Sequence, residues 1–116
     1  MPSKKQQKGY RSNGKVREWL LTHGFTFIYF HPHPPQYRLD KITVSKDRTF
    51  YAKDLFGLFD GMALDSKNEV VFFQVKTNSW DGMKEIAEWV KGRRIKAILF
   101  NVRDRIGVEL KFFGYS

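Results

Sequence analysis

This chain lacks cysteine, long apolar runs and an equal share of acidic residues. The absence of cysteine excludes disulfides, zinc–thiolate sites and cysteine nucleophiles. No apolar stretch approaches the ~18 residues that a membrane-spanning helix needs, and the basic N-terminus lacks the apolar segment of a signal peptide. There is also no internal repeat or low-complexity linker. We therefore expect an intracellular, cytoplasmic protein that has no membrane partner.

The composition is that of a small, basic, globular chain. A length of 116 residues predicts one domain, and an apolar content of 41% with 11 Phe and 3 Trp is enough for a modest core. Lysine and arginine number 21 against 12 acids, which gives a formal net charge of +9. Such an excess favours a polyanionic partner, most simply a nucleic acid. A generally basic soluble protein of the ribosomal type is the alternative that charge alone leaves open.

Hydrophobic periodicity predicts an α/β chain. Residues 1–12 are polar and basic and are predicted to form a flexible N-terminal arm, ahead of an α/β domain over 13–116. Val16, Leu20 and His23 recur on one face of a helix predicted over 13–23. The other predicted elements are a strand over 25–30, a short edge strand near Ile42 and Val44, a long strand over 50–64 that bends at Gly57 or Gly61, a strand over 70–77, a helix from Trp80 to Gly92 capped by Asn78 and Ser79, and strands over 95–102 and 108–113. The order αβββαβ plus one strand predicts a mixed central β-sheet flanked by helices.

One predicted hairpin is the most informative part of the chain. If Asp65 faces Glu69 across a tight reversal, antiparallel pairing places Asp60 opposite Gln74. Lys76 follows two residues after Gln74 and therefore shares its side of the sheet. A carboxylate, an amide oxygen and an ammonium group then converge at one end of the hairpin. Oxygen ligands suit Mg²⁺, and a nearby lysine suits a phosphate or a metal-bound water.

Each of these three residues also has a purely structural interpretation. Asp60 could cap a turn, Gln74 could bond to the backbone, and Lys76 could extend its ammonium group to water at the end of a strand. A carboxylate or an amide in an apolar strand must nevertheless find a partner, because burial without one is costly. The metal-site interpretation supplies that partner for both groups.

The hairpin resembles the core of the PD-(D/E)xK nucleases. Phe59-Asp60 and Gln74-Val75-Lys76 match its motif, with Phe in the proline position and Gln in the second acidic position. Lys8-Gly9 and a helix that ends at 23–25 are similar to archaeal Holliday-junction-resolvase-like members. The run at 53–57 is similar to small phage and prokaryotic members. The resemblance extends in element order over about residues 8–112.

This resemblance implies a restriction-endonuclease-like fold and a metal-dependent, resolvase-like DNA endonuclease that hydrolyses phosphodiester bonds in duplex or branched DNA. Mg²⁺, or Mn²⁺ in its place, would be held by Asp60, the Gln74 side-chain oxygen and the Val75 backbone carbonyl. Lys76 would orient the attacking water or steady the charge on the scissile phosphate. The resemblance also implies a homodimer, and it allows a phage or viral origin.

Two positions depart from the family pattern. Many resolvase-like members carry a glutamate on the first helix where this chain has Asn13, and Glu18 is expected on the opposite side of that helix. With Gln74 in place of an acid, Asp60 is the one firm carboxylate. Asp54 either binds a second metal or starts a strand, and we favour the second. The alternative function is a non-catalytic nucleic-acid-binding module on a nuclease scaffold.

Two groups of basic residues are predicted to contact phosphates. One group precedes or opens the first helix, and the other follows the second helix and is expected beside the site. The residues are Lys8, Arg11 and Lys15 in the first group, and Lys91, Arg93 and Arg94 in the second. A solvated tail is the alternative for the first group, and favourable charge placement at a helix C-terminus is the alternative for the second.

Overall fold

Apolar periodicity and turn residues divide the described part of the chain into two helices and seven strands. The computed structural model describes residues 4–32, 41–45, 48–51, 55 and 58–114, and it describes side chains in 11–32, 55 and 58–114. The elements in chain order are α1 (Lys4–Thr22), β1 (Thr26–Phe30), β2 (Lys41–Ser45), β3 (Arg48–Tyr51), β4 (Gly61–Leu64), β5 (Val70–Thr77), α2 (Met83–Val90), β6 (Lys96–Arg103) and β7 (Gly107–Gly114). They form one α/β domain, as the sequence predicts. Neither described helix is long and apolar enough to cross a bilayer.

Five of these strands form one mixed sheet in the order β1-β4-β5-β6-β7. The central strand β5 is antiparallel to β4 and parallel to β6, and β7 pairs antiparallel with β6 at one edge. The parallel pair needs a crossover connection, which α2 supplies, because a tight turn cannot join parallel strands. β2 and β3 form a separate two-stranded sheet.

Each face of the five-stranded sheet carries its own core. On the α1 face, Val16 and Leu20 share a core with Phe73 of β5. On the α2 face, Ile86 shares a second core with Leu99 of β6. All five side chains are fully buried, and burial of each large apolar side chain stabilises the fold by ~1.5–3 kcal/mol. The two cores fix α1 and α2 on opposite sides of the sheet.

Helix α1 begins at Lys4, whereas the sequence predicted its start at Asn13. The lysines and glutamines that open the helix are good helix formers, and they outweigh two interior glycines that each cost ~1 kcal/mol. Ser12 is buried, and its hydroxyl lies 2.6 Å from that of Thr77 at the end of β5. This contact anchors the helix at Ser12, and residues 4–12, which the sequence predicts as a flexible arm, lie within α1.

The strand predicted over 50–64 is not one element. Its two ends belong to β3 and β4, which lie in different sheets. Between them Leu55 and Phe59 form an isolated antiparallel bridge, and the N–H groups of Leu58 and Phe59 both donate to the Leu55 carbonyl. This reversal buries the Phe59 ring completely in the α2-side core. The burial of a large aromatic ring therefore overrides the extended pattern of the local sequence.

Helix α2 begins at Met83, later than predicted. Its N-cap is Gly82, which has a left-handed conformation with φ 97° and makes no side-chain cap. The predicted caps serve the preceding loop instead, because the Ser79 hydroxyl accepts the Asp81 N–H and Asn78 bonds to the turn between β6 and β7. The loop between β5 and α2 is therefore held by its own hydrogen bonds.

An ion-pair cluster joins the turn of the β4–β5 hairpin to the start of β6. Lys96 Nζ lies 3.1 Å from the Asp65 carboxylate and also contacts Glu69. Burial works to raise the pKa of Asp65, but the Glu69 N–H, the Lys96 ammonium and the Lys67 N–H outweigh it and hold that pKa below the ordinary value of 3.8. The same contacts, first Glu69 and then Asp65, raise the pKa of Lys96.

We expect Asp65→Asn to lower the thermal midpoint by a few degrees at pH 7. The amide keeps an oxygen for the two turn N–H groups but loses the charge that Lys96 contacts. A carboxyl with a lowered folded-state pKa stabilises the fold above its ordinary pKa, and that contribution is lost as pH falls through the folded value. The difference between variant and wild type should therefore close as the pH falls below the ordinary carboxyl value of 3.8.

Thermal unfolding at a series of pH values measures this effect. Asp81→Asn is the control, because Asp81 is an exposed acid outside the cluster. Equal midpoints for Asp65→Asn and wild type at pH 7, or a difference that is the same at every pH, would contradict the prediction.

Candidate active site

The β4–β5 hairpin has the register that the sequence predicts. Gly61 is opposite Phe73 and Leu64 is opposite Val70. The Asp65 N–H donates to the Glu69 carbonyl across a tight reversal. The paired residues end at Gly61, and the preceding residue, Asp60, donates its N–H to the Phe73 carbonyl instead of continuing the regular pairing. Because the turn is short and the register is free of bulges, the local sequence is sufficient to fix it.

Asp60 lies at the edge of β5, just before β4 begins. Its N–H donates to the Phe73 carbonyl at 2.9 Å, and its Oδ2 accepts the Val75 N–H at 2.6 Å. The Asp60 carbonyl accepts the His31 N–H at 2.7 Å, which ties the residue to the end of β1 as well. The carboxylate therefore accepts a hydrogen bond from a β5 N–H that lies beyond the end of β4. These bonds hold it beside β5 at the residues on either side of Gln74.

Gln74 faces the α2 side of the sheet, and its side-chain oxygen is the most unusual polar atom of the site. Oε1 is buried and has no hydrogen-bond partner among the described residues. It lies against Gly82, where an added Cβ would be 2.5 Å away. An unsatisfied buried acceptor costs ~1–3 kcal/mol. A cation beside this oxygen would relieve that cost, so the amide fits an oxygen ligand of a metal.

Lys76 lies two residues beyond Gln74 on the same face of β5 and is half-buried. Its neighbour on β6 is Asn101, which is almost fully buried. The Asn101 Oδ1 accepts the Ser79 N–H at 2.9 Å and so positions the loop that follows Lys76. Sequence reasoning missed Asn101, although a single amide within the apolar run of β6 was the available signal. Gly82, which contacts Gln74, was also missed.

The structure does not bring Asn13 to this face. Helix α1 packs on the opposite face of the sheet, where it shares a core with Phe73 and Val75. The buried polar residue of the helix is Ser12, one turn before Val16, while Asn13 is only half-buried. The expected inward position is therefore occupied by Ser12, because the helix phase places residues 12, 16 and 20 against the sheet. Glu18 is exposed, as predicted.

The two groups of basic residues lie at opposite ends of the sheet. Arg11 and Lys15 are exposed and line a small polar notch together with Thr77. This notch is at the C-terminal end of β5, the end that also carries Lys76. The second group follows α2 and lies near the start of β6, where Lys96 pairs with the start of β5. The crossover returns the chain to that far end, so the expectation that the second group lies beside the site is not met.

The second basic group caps its own helix. Arg93 Nη1 donates to the Trp89 carbonyl at 2.6 Å, and its guanidinium lies 5.4 Å from the centre of the Trp89 ring. Lys91 and Arg94 are exposed beside it. These contacts match the structural alternative, in which cations are placed favourably at a helix C-terminus.

Some predicted residues lie outside what the structure describes. Asp54 and most of the 53–57 run are outside the described residues, and the Lys8 side chain is outside the described side chains. Within the described part of the chain, no three histidine, aspartate or glutamate side chains form a group that could hold a metal. The candidate metal donors are therefore one carboxylate, that of Asp60, and one amide oxygen, that of Gln74.

We expect Gly82→Ala to destabilise the protein and displace the Gln74 amide. The left-handed backbone at φ 97° costs a non-glycine residue ~1–2 kcal/mol, and the new Cβ would collide with Oε1. Gly92→Ala is a matched control, because Gly92 also has a positive φ but has open space around its Cβ position. Chemical denaturation should show a larger loss for Gly82→Ala. Equal losses for the two variants would contradict the close contact with Gln74.

Comparisons with known proteins give this chain no relative. A scan against protein-family models, a search of curated proteins and a search of solved structures each found no match. The resemblance to PD-(D/E)xK nucleases therefore stays a prediction that rests on the hairpin residues. What the site does must be argued from the chemistry of Asp60, Gln74 and Lys76.

Proposed function

We propose that this protein is a resolvase-like, metal-dependent DNA endonuclease with a restriction-endonuclease-like fold. The observation that carries the proposal is the buried Gln74 Oε1, which has no partner among the described residues and belongs to the residue just before Val75, whose N–H binds the Asp60 carboxylate. A basic chain of net charge +9 suits a DNA substrate. Lys76 lies on the same face as Gln74 and supplies a positive charge, which phosphoryl transfer uses to stabilise developing negative charge.

The residues present fit a Mg²⁺ ion. Asp60 and the Gln74 side-chain oxygen would hold it, together with the Val75 carbonyl that the family resemblance implies. Mg²⁺ retains several waters and needs only one or two carboxylates from the protein. When bound, the ion would act as a Lewis acid toward the phosphate oxygens.

The remaining work of the proposed reaction falls to side chains of this chain. Lys76 would donate a hydrogen bond to the attacking water or to a non-bridging phosphate oxygen, which steadies the charge that develops there. Water adds to phosphorus, one bridging P–O bond breaks, and the leaving oxygen takes a proton. Arg11 and Lys15, exposed at the same end of the sheet, would bind the DNA backbone. Neither is assigned a chemical role.

We expect Asp60→Asn to reduce cleavage by about 100-fold or more. The amide can still accept the Val75 N–H but carries no charge for the metal. The assay uses linear, flapped and four-way DNA with Mg²⁺, with Mn²⁺ and with EDTA. DNA binding in EDTA should be unchanged, because no metal is then needed.

Asp81→Asn controls for the loss of one negative charge on the same surface and should cleave like wild type. The thermal midpoint of Asp60→Asn shows whether the fold is retained. If wild type cleaves and a folded Asp60→Asn variant cleaves equally well, the catalytic assignment is wrong.

A non-catalytic nucleic-acid-binding module is the second candidate. It is favoured by the absence of a three-residue acid or histidine group in the described part of the chain. In that case the basic residues would still bind DNA, with an affinity that falls steeply as salt rises. Cleavage would be absent at any metal concentration.

Gln74→Glu separates the two candidates. A second carboxylate beside Asp60 should raise metal affinity by about tenfold or more, measured by calorimetry and by the metal concentration that gives half-maximal cleavage. Gln74→Leu is the matched variant, since it removes the oxygen at similar volume. It should abolish cleavage and leave stability unchanged or higher, because an unsatisfied buried acceptor is gone. Cleavage by Gln74→Glu alone, with an inactive wild type, would favour the binding module.

A further inference from the structure

The edge strand β7 is long and regular. It pairs with β6 without interruption from Arg103 opposite Gly107 to Lys96 opposite Gly114. Among the described strands, none pairs with the other side of β7. Its outward backbone N–H and carbonyl groups therefore form a template for another strand.

The opposite edge of the sheet is protected against such pairing. Strand β1 has only five residues, and its register with β4 shifts between Thr26 and Tyr29. Phe27, within that irregularity, has a positive φ of 50°. Short length and bulges are two of the means by which sheets block edge-to-edge association. β7 is neither short nor bulged, so it lacks both of these protections.

We propose that two copies of this chain associate through β7, antiparallel about a two-fold axis at Leu110, and join their sheets into one. This pairing places Glu109 of each copy opposite Lys111 of the other. Directly opposed opposite charges stabilise a strand pair. It also places Val108 opposite Phe112 on the α1 face, where the Phe112 side chain is 69% exposed. The inference rests on the strand edge and goes beyond the proposed function.

The charges of β7 select this register over its neighbours. The two-fold axis of an antiparallel strand pair passes beside one residue of each copy. The two neighbouring registers are therefore centred on Glu109 and on Lys111. The first register opposes Glu109 to itself, and the second opposes Lys111 to itself. Directly opposed like charges destabilise a strand pair. Only the Leu110-centred register opposes unlike charges in both symmetric positions.

Charge reversal tests the pairing in the full chain by sedimentation equilibrium at moderate salt, which screens the net charge of +9. Wild type should form a dimer. Lys111→Glu and Glu109→Lys should each weaken the dimer by about tenfold or more, because two attractive pairs become repulsive. The double variant that carries both changes restores opposite charges and should dimerise like wild type.

Thermal unfolding is the control that checks whether each variant is folded. This control is needed because Glu109 also contacts Arg103, and Lys111 Nζ lies 5.6 Å from the centre of the Trp80 ring. A wild-type monomer at every concentration would overturn the proposal. So would single variants that dimerise like wild type, or a folded double variant that does not recover.

A cysteine cross-link tests the position of the axis, since the chain has no cysteine of its own. Leu110→Cys places two thiols opposite each other and should give a disulfide-linked dimer under mild oxidation. Val108→Cys places its two thiols about 13 Å apart along the strands and should remain uncross-linked. Equal cross-linking by both variants, or none by Leu110→Cys, would reject the Leu110-centred register.

Discussion

The pairing of β5 with β4 on one side and with β6 on the other is the interaction on which the rest of this structure depends. Phe72 and Phe73 of β5 point to opposite faces, so this one strand contributes to both cores. Helix α1 rests on one of these cores and α2 on the other. The antiparallel pair follows from a local hairpin, whereas the parallel pair depends on the α2 crossover.

Polar side chains near the C-terminal end of β5 lower the local stability of the strand. Most of the strand is apolar, but Gln74 and Lys76 turn toward the α2 face near its C-terminal end. On β6, the neighbouring amide of Asn101 is satisfied by the Ser79 N–H. The Gln74 oxygen has no such partner among the described residues. In proteins whose other levels agree, a local conflict of this kind is expected at a functional or a strained site.

The strand order of the sheet also places the C-terminal end of β5, the basic group after α2 and the edge strand β7 in different parts of the molecule. Near the C-terminal end of β5, Lys76 lies on the α2 face and Arg11 and Lys15 lie on the α1 face, while the crossover carries Arg93 to the other end of the sheet. The edge at β7 lies to one side of both. The proposed DNA contact at the β5 end and the proposed self-association at the edge therefore use different parts of the sheet. Two sheets joined through β7 would place their β5 ends pointing in opposite directions, because the copies are antiparallel.

The sequence by itself determined the features that depend on near neighbours. The hairpin register around Asp65, the bounds of β5 and the shared face of Gln74 and Lys76 follow from a short turn and a period of two. The tertiary structure alone decided the contacts between distant segments. It anchored α1 to β5 through the contact between Ser12 and Thr77, and it interrupted the strand predicted over 50–64 so that Phe59 is buried. Such contacts outweigh local propensity because burial is worth more than the preference of any single residue.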